Sequence, residues 1–310
     1  MTSPKSIRKL DHRLKADLIL LLVALLWGSA IVAQRVAAQH VSVYLFNGLR
    51  FLIGALVLAP FLLLRNPARR KLQTANLPGM ALAGFLLFAG ISLQQHGLRF
   101  TTAANAGFIT GLYVVLIPLY LALVMRQPPR RIIWLAAILA TCGLFLLSTG
   151  GSFSLAPGDN FELAGAAMWA FHVLLIGRLV QRVDIFRLAV VQYLVCAALS
   201  FGLGWLLEPY SLSELSGVGW TVLYTGIFGI SLGYTLQAVG QKVAPAADSA
   251  VILSFEAVFA AICGWLLLDE RLNMIQLSGC GLMLLGMILA QVFPPGRQEN
   301  ADQQPGHLIP

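Results

Sequence analysis

This sequence predicts an all-α polytopic membrane protein whose ten transmembrane helices form two inverted five-helix repeats. Three observations carry that reading. Only 11% of the residues are charged and 58% are hydrophobic, where a soluble domain is about a quarter charged. Apolar runs of membrane-crossing length fill almost the whole chain. The second half of the chain also matches the first at an offset of 142 to 143 residues. The runs are continuous rather than alternating with period two, which excludes a β-barrel.

A lipid core about 30 Å thick takes about 20 apolar residues as a helix. Ten runs meet that length. A basic tail (1–16) precedes the first, 17–37, which is too long for a signal peptide and lacks a small-residue cleavage site. It reads as a permanent span. The second, 43–64, contains Arg50. The third, 77–97, ends in Gln94, Gln95 and His96, and the fourth, 102–125, carries Asn105 and Pro118. The turn RQPPRR opens the fifth, 131–149. A periplasmic linker (150–159) leads to the sixth, 160–178, with Trp169 and His172. The remaining runs are 187–207, 217–239, 245–267 and 273–293. Of these, 217–239 holds Tyr234 and Gln237, and 245–267 holds Asp248 and Glu256. The last stretch, 294–310, is polar and Pro-rich, the composition of a disordered cytoplasmic tail.

Loop charges set the orientation. With the N-terminus inside, seventeen of the 21 Lys and Arg fall on the inner side. Arg35, Arg99 and Arg271 fall outside, and Arg50 lies within a span. That is a strong positive-inside bias, and one missed span would scramble it. Both termini are expected in the cytoplasm, with the chain in the cell (inner or plasma) membrane. The basic residues come in small separate clusters, so no nucleic-acid partner is expected. The four cysteines lie inside apolar runs and form no CxxC or Cys/His cluster, so they read as packing residues. No P-loop is present. No cofactor, no metal site and no catalytic residue is expected.

The internal repeat is most visible where 97–148 slides onto 240–291 at an offset of 143. Ten of the 52 positions are identical, among them Gly97/Gly240, Ile109/Ile252 and Gly143/Gly286. Upstream, Trp27 falls on Trp169 and Arg50 on Gln192 at an offset of 142. The proposed repeats are 17–149 and 160–293. Each holds five spans, an odd number, so the second copy enters the membrane from the opposite side. The charges agree: RQPPRR (126–131) reads as an inner turn and its counterpart DERLNM (269–274) as an outer one. Inverted repeats are a hallmark of secondary carriers, with substrate near the midplane between the halves.

The segments ALLWGSAIVAQRVA (24–37), LRFLIGAL (49–56), GLRFTTAANAGFITGLYVVLIPL (97–119) and LDERLNMIQLSGCGLMLLGMIL (268–289) resemble the EamA type of the drug/metabolite transporter superfamily. The resemblance covers roughly 17–293. It implies two repeats of five helices and export of amino acids, metabolites or drug-like molecules. Two positions depart from the family pattern. Glu256 is followed by Ala257 where Pro is usual, and Gln127 stands where many relatives carry an acid.

Polar groups inside spans are expensive, and those that persist usually face the interior. Glu256, about midway through the ninth span, is the candidate for proton coupling or for a cation in the pathway; a structural acid between helices is the alternative. Arg50 reads first as a structural ion pair and second as a carboxylate ligand. Asp248 and Asn105, equivalent in the repeat, read as first-turn helix-end residues, with a gate as the alternative. Trp27 and Trp169 lie too deep for an interfacial belt; each reads first as a helix-packing aromatic and second as a flank of one central cavity. Tyr113, the repeat partner of Glu256, is expected to face it. Gln94, Gln237 and His172 complete the candidate pathway, although a lone His is more often bonded to a neighbouring helix. Gly107-x-x-x-Gly111 and Gly229-x-x-x-Gly233 present small faces for close packing. Pro118 is expected to kink the fourth span. Ala261 occupies its place in the second repeat, so the break is expected to be one-sided.

These readings imply a secondary transporter that exports a small organic metabolite, an amino acid or a drug-like amphipathic solute, by alternating access. Protons are the candidate coupling ion, the bilayer and a small-molecule substrate are the expected partners, and no oligomer is required. A lipid or lipid-linked carrier translocase of the same fold is the alternative. A membrane-embedded lipid-modifying enzyme needs clustered carboxylates or a His/Asp pair that the sequence lacks.

Overall fold

The structure is a computed structural model that describes residues 4–63, 76–101, 103–152, 156–207, 211–268 and 272–292, apart from the side chains of a few of these, Asn105 among them. The loop charges Arg65–Lys71 and Asp269–Arg271 and the tail 294–310 lie outside the described residues. Within them every regular element is helical.

The elements follow the apolar runs. The first repeat contains α1 (Pro4–Ala38), α2 (Val43–Leu63), α3 (Leu77–Gly97), α4 (Ala103–Gly111), α5 (Tyr113–Leu123) and α6 (Arg131–Thr149). The second contains α7 (Asp159–Leu179), α8 (Ile185–Leu207) and α9 (Gly219–Tyr224). The π-helical stretch Thr225–Tyr234 runs on from α9 into α10 (Thr235–Gln241). Then come α11 (Ala246–Leu253), α12 (Glu256–Leu268) and α13 (Met274–Val292). Because α4–α5 and α11–α12 are interrupted spans and α9–α10 is one continuous rod, these elements make ten crossings. Nine described helical rods are long and apolar enough to span a membrane, and the fourth span adds the shorter apolar helix Phe108–Leu123. Leu123, Trp205 and Leu206 point outward, exposed over most of their surface, which suits lipid and would be anomalous in water.

Like helices of the two repeats pack against each other. The second helices, α2 and α8, pack together, and so do the fifth, α6 and α13. The first helix of each repeat packs on the third and fourth of the other: α7 on α3 and α4, α1 on the π stretch, α10, α11 and α12. The α6–α13 contact depends on two glycines. A Cβ on Gly143 would stand 2.5 Å from the Gly279 carbonyl, and one on Gly279 would stand 2.6 Å from the Gly143 carbonyl. Small residues let the backbones touch where no hydrophobic force separates helix from lipid. Gly28 does the same for α1 against α12: a Cβ there would lie 2.5 Å from the Glu256 carbonyl. This close approach seats α1 beside the first turn of α12.

The break in the fourth span differs from the sequence expectation. It lies at Leu112, six residues before Pro118, which sits buried within α5. Leu112 N–H reaches back three residues to the Ile109 carbonyl (3.1 Å), and Val115 N–H to Leu112 (2.9 Å). This is a single tightened 3₁₀ turn. At the offset of 143, the ninth span breaks at the equivalent place, Ser254–Phe255, with Phe255 N–H bonded to Ile252 (3.1 Å) and Ala257 N–H to Ser254 (3.3 Å). Both repeats are therefore interrupted, and proline is not the cause. The asymmetry lies elsewhere: α3 is a regular helix, while its counterpart Gly219–Gln241 carries the π-helical stretch.

Replacing Gly143 with Leu forces apart the α6 and α13 backbones. Overpacking of this kind costs about 1–3 kcal/mol. The expected result is a lower melting temperature in detergent, while Gly281→Ala, where nothing lies within 4 Å of the added Cβ, does not lower it.

Candidate substrate cavity

Each wall of the central cavity is set by helical periodicity. On α1, Trp27, Ala30, Ile31 and Gln34 lie at the i, i+3, i+4 and i+7 positions of one face. Across from them the π-helical stretch presents Thr225, Gly229, Ile230 and Tyr234, at the four-to-five residue spacing that an i→i+5 turn keeps on one side. Gln237 of α10 follows. Pairs three or four residues apart come from α3 (Ile91, Gln94), the α4–α5 junction (Thr110, Tyr113), α7 (Trp169, Val173) and the α11–α12 junction (Leu253, Glu256). Arg50 of α2 completes the lining of the cavity.

Of the eight pathway residues expected from sequence, seven line this cavity: Trp27, Arg50, Gln94, Tyr113, Trp169, Gln237 and Glu256. Tyr113 and Glu256 are the first residues of α5 and α12, just past the matched breaks. Thus the repeat places a phenol and a carboxyl at corresponding points of two half-helices. His172 is not on the wall. It stands behind Trp169 and Tyr234, with ring centroids 6.0 and 5.9 Å away, and its Nε2 pairs with Gln192 Oε1 at 3.0 Å. It is a buried histidine bonded to a neighbouring helix.

Arg50 also departs from the expected ion pair. Its Nη2 donates to Asn47 Oδ1 at 2.7 Å. The guanidinium lies 4.5 Å from the Phe46 ring centroid, a cation–π contact. Nε has no partner. Among the described residues no acid lies within ion-pair distance of it. An amide and two aromatic rings therefore hold a fully buried cation on the cavity wall.

Tyr234 is the aromatic hub. Its ring centroid is 4.7 Å from Trp27, 6.0 Å from Trp169 at an interplanar angle of 14°, and 6.3 Å from Phe51. Trp27 Nε1 donates to the Gly229 carbonyl at 3.0 Å, and Tyr193 OH to the Ile230 carbonyl at 2.9 Å. Side chains thus satisfy backbone acceptors along the widened helix. The wall also holds polar atoms with no protein partner: Tyr113 OH, Trp169 Nε1, Gln34 Oε1 and both ends of the Gln237 amide. Buried polar groups are ordinarily hydrogen-bonded. This surface matches a solute with several polar groups of its own beside an aromatic or apolar part.

The cavity lies around the middle of its spans. The basic end, where α1 begins, is tied by ion pairs. Asp248 Oδ2 accepts from Arg13 Nη2 of α1 (2.8 Å) and from Arg130 Nη2 before α6 (2.6 Å). Arg13 Nε also meets Asp17 (2.9 Å). Asp248 is therefore not simply a helix-end residue, as first read: no side chain caps α11, and its carboxylate bridges three parts of the chain. The side chain of Asn105, its repeat equivalent, lies outside the described residues. From the sequence Arg13 and Arg130 count only as loop charges, and Asp17 carries no role. Nor do Gln34, Thr110 and Thr225, whose polarity is ordinary and whose signal is helical spacing from Trp27, Tyr113 and Tyr234.

The EamA-like transporter family model matches the chain twice, over residues 14–149 and 157–291. The chain belongs to the EamA-like transporter family, within the drug/metabolite transporter superfamily. An uncharacterized transporter of Archaeoglobus fulgidus is 32% identical over 286 residues, covering 90% of this chain and 87% of its own. The uncharacterized transporter YwfM of Bacillus subtilis is 25% identical over 92% of this chain and 96% of its own. A crystal structure sharing 22% identity superposes with a TM-score of 0.74, covering 90% of this chain and 96% of that one; it supports the fold. Family and relatives are transporters, not enzymes. Among the described residues no group of three His, Cys, Asp or Glu stands close enough to hold a metal.

Trp27→Phe keeps an aromatic ring and removes the donor to Gly229. Leaving a buried acceptor unpaired costs about 1–3 kcal/mol. Thermal unfolding in detergent should show the loss, whereas Trp265→Phe on the exposed face of α12 should not.

Proposed function

We propose that this EamA-like transporter is a secondary carrier for a small zwitterionic or amphipathic organic solute, exported by alternating access and coupled to protons through Glu256. The supporting observation is the chemistry of the cavity wall. One guanidinium, Arg50, and one carboxyl, Glu256, come from different repeats, and neither forms an ion pair among the described residues. Trp27, Tyr234 and Trp169 share the same wall. A solute bearing a carboxylate, an amine and an apolar part satisfies all three features. A polyphosphate would require several buried cations.

The ion pairs at Asp248 support alternating access. In this arrangement a carboxylate shared between two arginines ties the basic end. The inverted counterpart of this state opens the basic end and closes the far one. Positive-inside bias puts the basic end, and both termini, in the cytoplasm of an inner or plasma membrane. The two matched segments then act as the moving halves, joined through the 150–159 linker.

Purified protein in liposomes, given a pH gradient and a panel of amino acids and organic cations, tests this reading. Flux of a solute in the panel is expected; silence across the panel overturns it. Glu256→Gln is expected to abolish pH-driven flux in a folded protein, and undiminished flux removes Glu256 from coupling. Arg50→Gln should weaken binding of carboxylate-bearing solutes about tenfold or more, the loss of a charge-assisted hydrogen bond. Asp248→Asn leaves Arg13 and Arg130 without their shared anion. A cysteine introduced at buried Val251 should then react several-fold faster with a thiol reagent supplied from the basic end.

A further inference from the structure

A second buried carboxyl lies outside the cavity and outside the Asp248 ion pairs. Glu162, in the first turns of α7, is 0% exposed. Thr110 Oγ1 donates to its Oε2 at 2.8 Å, and its Oε1 has no hydrogen-bond partner among the described residues. The side chain is pressed between two elements. On one side is Thr110, which itself lines the cavity. On the other is Gly97 at the end of α3, where an added Cβ would meet the carboxyl, with Glu162 Cδ 2.9 Å away. The helix ends are in backbone contact as well: a Cβ on Gly158 would lie 2.5 Å from the Gly97 carbonyl.

Simple electrostatics distributes the charge. The N-terminus of α7 favours one anion. Asp159 lies closer to that terminus and accepts from Thr101 Oγ1 and from the Ala156 N–H. Glu162, one turn further in, has a single donor and a bare oxygen. An ionised carboxylate without donors is strongly disfavoured out of water, and a like charge one turn away adds to the penalty. Among the described residues no cation lies within ion-pair distance of Glu162. Of the elements packed on α7, α3 brings His96, whose ring lies 6.3 Å from Phe161 and whose Nε2 meets Tyr44 OH at 3.4 Å. After α3 comes Arg99, which reaches the Val41 carbonyl at 3.4 Å. By sequence α4 and α10 carry no titratable side chain, α5 brings only the phenols of Tyr113 and Tyr120, and α11 has its acid, Asp248, at the basic end.

We propose that Glu162, clasped between Gly97 and the cavity-wall residue Thr110, is a proton-binding site of this carrier separate from Glu256. The proton keeps the clasp shut. On its release the second oxygen must find water or another donor, which requires the α3–α4 junction to part from α7. Proton release and movement of the cavity wall at the far end are then one event, carried through the Thr110 hydroxyl. The consequence for transport rests on the carrier reading above; the proton site itself does not.

Infrared difference spectra of the full-length protein in liposomes, stepped from acidic to alkaline pH, test this directly. The carbonyl stretch of a protonated carboxylic acid should persist at neutral pH. One component should vanish in Glu162→Gln and survive in Glu256→Gln and Asp159→Asn. Thr110→Val removes the hydrogen bond to that carbonyl and should shift the same component to higher frequency. In a cysteine-free background, a cysteine at Ala106 on α4 should label several-fold faster at alkaline than at acidic pH, and Glu162→Gln should abolish that pH dependence. Spectra unchanged by both Glu162→Gln and Thr110→Val overturn the proposal, as does pH dependence retained in Glu162→Gln. Absence of solute flux would count against the carrier reading alone and leave the spectra to decide the proton site.

Discussion

Every backbone N–H and C=O in a lipid-facing chain must find its partner within the protein. That constraint organises this structure. Most of the bundle meets it with unbroken helices. Departures occur at the 3₁₀ turns around Leu112 and Ser254 and along the π-helical stretch Thr225–Tyr234. All three border the cavity, where side chains such as Trp27 and Tyr193 can take up displaced carbonyls. Irregular backbone is thus confined to the places where a solute could use it.

The same constraint explains how polar groups are shared out. The inside of the bundle has few donors, so each buried charge takes what its neighbours offer. Arg50 takes an amide and aromatic faces, Asp248 takes two guanidiniums, and Glu162 takes one hydroxyl. The Asp248 arrangement is fully ionic and sits at the basic end. Glu162 sits at the opposite end with no ion pair among the described residues. The two ends are therefore held by forces of different kinds, although the helices that they join are related by the repeat.

The membrane class, the span count and much of the cavity wall were legible in the sequence, because polarity inside an apolar run is costly and therefore conspicuous. Trp27, Tyr113, Trp169, Arg50 and Glu256 stood out on that ground, and the repeat paired Trp27 with Trp169 and Tyr113 with Glu256. Partners were not legible, since they come from distant helices: nothing local joins Arg13 or Arg130 to Asp248, or Thr110 to Glu162. Glu162 was hidden by position, being near enough to a span end to pass for a loop charge. One clue was available. Asp17 and Asp159 occupy equivalent positions at the offset of 142, and each sits in a latch at its own end. Proline misled, because a tightened turn needs no proline.

The π-helical stretch has a further meaning in the arithmetic of the duplication. Up to the start of the third helix the two copies are in step at 142 residues: Trp27 with Trp169, Arg50 with Gln192, and the first residue of α3, Leu77, with Gly219, the first residue of α9. At the end of the third helix the step is 143, since Gly97 falls on Gly240. The second copy has thus gained one residue inside that rod. A regular helix would turn everything beyond such an addition by about 100°. A wider coil takes up the one-residue difference instead, so the matched breaks that follow stay in register, and that coil is the wall that holds Tyr234 against Trp27.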